Sequence, residues 1–337
     1  VYGRMSQLAA AGIKFDLVLR PAQGSTNYTS IPQWQRLMQY AAPSVEAFEG
    51  LNEHDNSKRA NWVSEVRGFQ QALYTAVKGD ARTAALPIYG PSMAHPRNAA
   101  SVGGLSQYMT QGSIHPYPGG NLPMTSITDH EQRSAAISGT LPFVVTEAGY
   151  HTAERWSGDH PGVSEQAQAR YLTRMVLNFF DAGVVRTYLY EFIDQGANNA
   201  DRELSFGILR SDGTEKPAYV ALKNLITILK DPGPAFTPGT LGFTLDGDTS
   251  RVEWTVLQKR DGRFYLLLWQ DQKSYDLQAR TTLTVGQRAA HLTLSTSAQS
   301  IKLYDPLKSA SPVKQTANVG SIGIDIGDSP LVVEVVP

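Results

Sequence analysis

The spacing of apolar and polar positions changes character once along this chain, near Asp231-Pro232-Gly233-Pro234. Before that point, apolar runs of strand length alternate with stretches of helical spacing. Met5, Leu8 and Ala9 share one face of a helix over 2–12 that Gly12 stops, and 13–19 reads as a strand ending at Arg20-Pro21. A helix over 32–40 leads to a strand at 47–51. Trp62, Val66, Phe69 and Leu73 then mark a long helix over 59–77, followed by a strand at 85–89. A weak helical pattern at 105–109 precedes strand 113–115, and a helix over 127–137 leads to strand 143–146. Helix 164–180 carries an apolar stripe of Tyr171, Leu172, Met175, Val176 and Phe179. Its third residue after Ser164 is Ala167, so Ser164 is a simple N-cap without a capping box. Strand 184–192 and helix 216–229, with Pro217 tolerated in its first turn, close the series.

Alternation of this kind implies parallel strands joined by crossover helices. Six strands are legible, at Lys14, Ala47, Ala85, Ser113, Phe143 and Val184, whereas a complete barrel needs eight. The expected fold class is therefore α/β: a (β/α)8 TIM barrel over 1–230 that lacks its first two strands in this chain, an N-terminal stretch of the full protein supplying them. A six-stranded open sheet is the alternative, and it would leave two exposed edges. After the Pro/Gly linker the helical period disappears. Runs at 251–257, 264–269, 282–285, 290–294, 301–304 and 331–336, separated by turn residues such as Asp261-Gly262, predict a C-terminal antiparallel β-sandwich over 231–337.

Composition narrows the chemistry. A chain of 337 residues suits a barrel with an accessory module, and 41% hydrophobic with 18% charged residues is ordinary for a globular protein. A net charge of −1 gives no reason to expect nucleic acid or an anionic membrane as partner. No stretch approaches the ~18 apolar residues of a membrane span. The absence of cysteine excludes disulfides, a thiol nucleophile and thiolate metal sites. No signal peptide is visible at Val1, and a secreted or periplasmic location is the expectation.

Two glutamates end apolar runs: Glu53 in Phe48-Glu49-Gly50-Leu51-Asn52-Glu53 and Glu147 in Phe143-Val144-Val145-Thr146-Glu147. The C-terminal ends of parallel strands are where a barrel presents its catalytic groups. Two carboxyls facing each other across such a mouth, one protonated and one ionised, are the equipment for glycosidic bond cleavage. Either glutamate alone would be read as a surface acid. Asn52 suits a hydrogen bond to a sugar 2-hydroxyl. His115 and Tyr117, in Ile114-His115-Pro116-Tyr117, can orient a hydroxyl and hold the nucleophile ionised, although a plain Pro/Gly turn would look the same. Tyr190 offers a face for stacking, and Glu191 is either a third acid at the mouth or the partner of an arginine such as Arg20. Tyr150, His151 and Trp156 follow Glu147, with Trp156 the better stacking candidate. Trp34 and Trp62 read as core, and Trp254 and Trp269 as packing within the sandwich. His115 has no partner at the usual ligand spacings, so no metal and no cofactor are expected. Asp246-Gly247-Asp248 lacks the distal Glu of a calcium loop, and Gly103-Gly104 lacks the Lys-Ser/Thr of a phosphate loop.

At these residues the chain resembles glycoside hydrolase clan A. Asn52-Glu53 matches the clan's Asn-Glu motif after the fourth strand, Thr146-Glu147-Ala148-Gly149 its nucleophile segment after the seventh, and His115-Pro116-Tyr117 its sixth-strand segment. The stretch Tyr190–Asp194, continuing to Phe206–Tyr219, is similar to the last-strand and last-helix region of bacterial members related to families 39, 5 and 79. The resemblance implies a retaining glycosidase acting on a β-linked oligo- or polysaccharide, with Glu53 as acid/base, Glu147 as nucleophile and no metal. It departs from the clan in two ways: the second-strand arginine is absent, and Glu191-Phe192 stands where a tryptophan is usual. A barrel that binds carbohydrate without turnover, acting as a scaffold, is the alternative.

Overall fold

Burial and strand pairing follow from the alternation of side chains along extended backbone. The structure, a computed structural model, describes residues 2–22, 24–198 and 200–337. They form two compact units. The first takes the residues up to Pro116 with Ser126–Ala148 and Gly183–Tyr188; the second takes Tyr117–Thr125, Gly149–Ala182 and Leu189–Pro337.

In the first unit, β1 (Phe15–Val18), β2 (Val45–Glu49) and β3 (Ile88–Tyr89) pair in that order, all parallel. β4 (Gly112–Ile114) pairs parallel with β5 (Phe143–Ala148), which lies beside β6 (Thr187–Leu189). A parallel bridge from Tyr89 to Gln111 joins the two runs. The helix α1 (Tyr2–Ala10) precedes β1, and α2 (Trp34–Ala41), α3 (Trp62–Lys78), α4 (Ala99–Val102) and α5 (Ile127–Ser138) lie between the strands in sequence. Phe48 and Ile88 pack with Met38, Leu73 and Val77 of α2 and α3. The period of two then turns Ala47, Tyr89 and Val144 to the other face, where they meet one another. Asp16, Glu49, Ser113, His115 and Thr146 fall at the inward-facing positions of the same alternation, which places polar groups in that interior.

In the second unit, α6 (Glu165–Asp181) starts at Ser164, whose hydroxyl accepts from Ala167 N, so the simple N-cap is present. α7 (Pro217–Leu229) follows, and then β7 (Phe243–Gly247), β8 (Val252–Gln258), β9 (Phe264–Gln270), the short pair β10 (Tyr275–Asp276) and β11 (Thr281–Thr282), β12 (Arg288–Tyr304), β13 (Lys314–Ile326) and β14 (Leu331–Val336). The large strands make a curled antiparallel sheet ordered β13-β12-β14-β9-β8, with β7 also on β12. β12 pairs β7 over its first half and β14 over its second, with a register break between Thr293 and Ala298. Ala290, Leu292, Leu294 and Ala298, and after them Ile301 and Leu303, all face one apolar core. β9 is buried on both faces: Leu266 and Leu268 enter that core, while Leu267 and Trp269 pack on Leu177, Leu225 and Ile228 of α6 and α7.

Several sequence expectations are corrected. The runs at 290–294 and 301–304 are halves of one strand, because no Gly or Pro interrupts 295–300. β13 was hidden by its glycines and polar positions. The strand expected over 184–192 is only Thr187–Leu189, since the backbone of 191–194 bonds instead to 206–209. Trp254 is 51% exposed, because β8 is the edge of the sheet, and its ring meets the edge of Phe243, 5.2 Å away. Trp269, on interior β9, is buried as expected. Among the described residues no helix is long and apolar enough to cross a membrane.

Arg174 fastens α6 to the sheet. It is fully buried, donates from Nη1 to the carbonyls of Gln270 and Gln272 at 2.8 Å each and from Nη2 to Ser274 Oγ at 3.2 Å, and lies over the Tyr171 ring. Arg174→Met fills the space yet strands three acceptors; chemical denaturation is expected to show a loss of about 2–4 kcal/mol.

Candidate active site

The loop that carries Glu53 is built by close backbone approach and side-chain anchors. Gly50 follows β2 where a Cβ would lie 2.2 Å from Gln70 Oε1 and 3.1 Å from Pro91 N, so only glycine fits. Glu53 itself has φ +46°, a left-handed backbone unusual for a residue with a side chain, and its N–H is held by Ser92 O at 3.2 Å and Ser92 Oγ at 3.3 Å. Beyond it, Asp55 accepts from Ala94 N, His95 N and Asn98 Nδ2 at 2.9–3.0 Å. His54 pairs with Glu65 at 2.7 Å, and Arg59 forks onto the same carboxylate, holding it below the usual range. Glu53 thus lies four residues beyond its strand, in a pinned loop, and not at the strand end that its apolar run suggested.

His115, one residue past β4, is 3% exposed. Its Nδ1 lies 2.8 Å from Glu53 Oε1 and 3.7 Å from Glu147 Oε2, and its Nε2 lies 3.0 Å from Thr146 Oγ1. One oxygen of Glu53, one of Glu147 and a nitrogen of His115 all fall within 4.8 Å of one another. Both glutamates are partly open, with side chains 32% and 27% exposed. The tertiary structure thus supplies His115 with the carboxylate neighbours that sequence spacing did not reveal. That spacing alone would admit a cation. Both His115 nitrogens, however, already sit at hydrogen-bonding distance from oxygen, and we assign no metal here.

Beneath this triad is a layer the sequence reading missed. Glu49 Oε1 accepts from Ser113 Oγ at 2.7 Å and Thr146 Oγ1 at 2.9 Å, and the two hydroxyls are 2.7 Å apart. Asp16 hydrogen-bonds Glu49 from β1, and Asp16 Oδ1 is buried without a partner among the described residues. Burial first, and then the neighbouring Asp16 charge, pushes the Glu49 carboxyl well above the usual range. Burial likewise raises Asp16, to about 6. The available signal was an acid at an inward position of each apolar run, Phe15-Asp16-Leu17 and Ala47-Phe48-Glu49.

The other expected site residues have the following places. Asn52 is exposed, and its Oδ1 accepts from Ser92 Oγ at 3.3 Å. In the second unit, the Tyr117 ring meets Tyr190 edge-on at 6.4 Å and Phe206 at 5.6 Å. Glu191 Oε2 accepts from Gln195 Nε2 at 2.9 Å, while its Oε1 is buried without a hydrogen-bond partner among the described residues; burial raises this carboxyl. Trp156 donates to Asp159 O at 2.7 Å and lies under the Arg202 guanidinium. Tyr150 and His151 are buried: Tyr150 stacks on Tyr171, and His151 pairs with His160 O at 2.6 Å.

No protein-family model matches the sequence, and no curated protein matches it. Among solved structures it is similar to a family 39 glycoside hydrolase from the gut symbiont Bacteroides cellulosilyticus WH2, at 17% identity and a TM-score of 0.57, covering 99% of this chain and 70% of that one. A glucosidase from Croceicoccus marinus is similar at 11% identity and a TM-score of 0.61, covering 99% of this chain and 80% of that one. The fold is thus like that of these two glycosidases. Within it, the Asn52-Glu53 loop and the Glu147 strand end come from the segments on which the sequence resemblance rested.

The Asp16 shift has a pH consequence. A carboxyl raised from 3.8 to about 6 is bound to its proton more tightly in the folded than in the unfolded chain. Its stabilising contribution is complete below about pH 4 and is lost as pH rises through about 6. Asp16→Asn removes that loss. Urea unfolding at pH 4 and pH 7 is expected to show the variant gaining on the parent by on the order of 1–2 kcal/mol at the higher pH.

Proposed function

We propose that this protein is a retaining glycoside hydrolase that cleaves a β-linked glycoside or polysaccharide. The observation that carries the reading is the approach of a Glu53 oxygen to within 4.8 Å of a Glu147 oxygen. Retaining enzymes hold their carboxyls about 5–5.5 Å apart, and inverting ones about 6.5–9.5 Å. In the first step a Glu147 oxygen bonds to the anomeric carbon, the glycosidic C–O bond breaks, and the Glu53 proton passes to the leaving oxygen. In the second, water gives a proton to Glu53 and its oxygen replaces Glu147 at the anomeric carbon. His115 touches both carboxyls and orients Glu53. Asn52 receives the sugar 2-hydroxyl, and Tyr117, Tyr190, Glu191 and Trp156 contribute to substrate binding. The same proposal includes a barrel over 1–230, a sandwich over 231–337, and a secreted or periplasmic site of action on carbohydrate.

On a panel of 4-nitrophenyl β-glycosides, Glu147→Ala is expected to lower kcat at least about a thousandfold. A 2-deoxy-2-fluoro glycosyl fluoride is expected to label Glu147, as read by peptide mass spectrometry, and labelling of another residue would refute the assignment. Glu53→Ala is expected to retain far more activity on 2,4-dinitrophenyl than on alkyl glycosides, because the former leaving group needs no proton. Dialysis against EDTA is expected to leave the rates unchanged, whereas loss restored by zinc would favour a metal-dependent hydrolase using the same triad.

A further inference from the structure

We propose that Glu49 is a positioning residue which, through Thr146, fixes a proton on His115 Nε2 and thereby keeps a second proton in the His115–Glu53 bond. This rests on the reading of Glu53 as the acid/base. The chain of donors can be counted atom by atom. Ser113 and Thr146 have one hydroxyl proton each, and Glu49 Oε1 lies 2.7 and 2.9 Å from them. The Glu49 proton is turned to Asp16, with which it is hydrogen-bonded, so Oε1 can only accept. Thr146 therefore gives its proton to Glu49, or to Ser113 Oγ at 2.7 Å while Ser113 gives its own to Glu49, and in either case it meets His115 Nε2, at 3.0 Å, with a lone pair. Nε2 must then carry the hydrogen.

The consequence falls on the opposite ring nitrogen. With Nε2 protonated, the neutral imidazole has a bare Nδ1, 2.8 Å from Glu53 Oε1. Two lone pairs at that distance repel, which favours a proton between them. It rests on Glu53 when His115 is neutral, which is the form that donates to a leaving oxygen. Once that proton has left, the carboxylate faces a bare nitrogen, and this favours its taking a proton back from water in the second step. If Thr146 instead donated to Nε2, the ring would hold its single proton on Nδ1, and Glu53 would sit as a carboxylate with nothing to give. Glu49 selects between these two arrangements without touching the sugar.

The surroundings hold Glu49 in its protonated form. Asp16 faces it from β1. Beyond Asp16 lie the Glu46–Arg186 ion pair and the hydroxyls of Tyr89 and Tyr188. Ser113 and Thr146 face it from β4 and β5, and Glu49 is 1% exposed. A buried carboxyl beside a second one is costly to ionise, and this favours the protonated form.

The test is the tautomer itself, read by long-range 1H–15N imidazole spectra of the full chain and assigned by loss of signals in His115→Gln. The parent is expected to be protonated at Nε2. Glu49→Gln is expected to match it, since its amide can turn oxygen to the hydroxyls and nitrogen to Asp16. Thr146→Val and Glu49→Met are expected to move at least half of the population to Nδ1–H. A parent bare at Nε2, or an unchanged tautomer in Thr146→Val, overturns the proposal, and Thr146→Val decides the matter even where Glu49→Met fails to fold. In kcat/KM profiles on 4-nitrophenyl β-glycosides, the alkaline limb is expected to fall by about one pH unit in Thr146→Val and to stay put in Glu49→Gln. The spectra need no turnover. Failure of Glu147→Ala to abolish hydrolysis would therefore sink the glycosidase reading while the tautomer result stood.

Discussion

A carboxyl placed among parallel strands has to be satisfied by its neighbours, and the way Glu49 is satisfied organises the first unit. Water does not reach it, so its oxygens take hydroxyls from β4 and β5 and a contact from β1. That one side chain joins strands far apart in sequence and fixes their registers at the level just below the glutamates. An apolar residue there would bury as well, but it would leave Thr146 and His115 free to turn.

The rigidity of the site has a second source, in the loop after β2. Asp55, Glu65 and Ser92 each spend their hydrogen-bonding capacity on holding that loop. A carboxyl on a loop is normally less well placed than one on a strand. Here three anchors and a left-handed residue make the loop behave as part of the scaffold. Glu147 needs no such support, because β5 carries it directly.

The second unit solves a different problem. A sheet whose interior strand β9 is apolar on both faces needs two covers. The curl of β12 provides one and the pair α6 and α7 the other. Arg174 and Gln270 then meet the carbonyls that this burial would otherwise leave unpaired. The edge strand β8 is less covered, which is why Trp269 on β9 is buried and Trp254 on β8 is half exposed.

Local spacing in the chain was enough to give most of the succession of helices and strands and the N-cap at Ser164, and it singled out Glu53, His115 and Glu147, which the fold brings together. Period and punctuation act over a few residues, and those features are written at that range. Strand ends were less legible, because hydrogen bonds to distant segments set where β6 stops and whether β12 is one strand or two. The polar ladder could not be read at all: His115 and Glu53 are 62 residues apart, and Thr146 and Glu49 are 97. No local pattern says which buried acid meets which hydroxyl. Only folding brought those atoms within 3 Å, and the direction of each proton depends on that meeting.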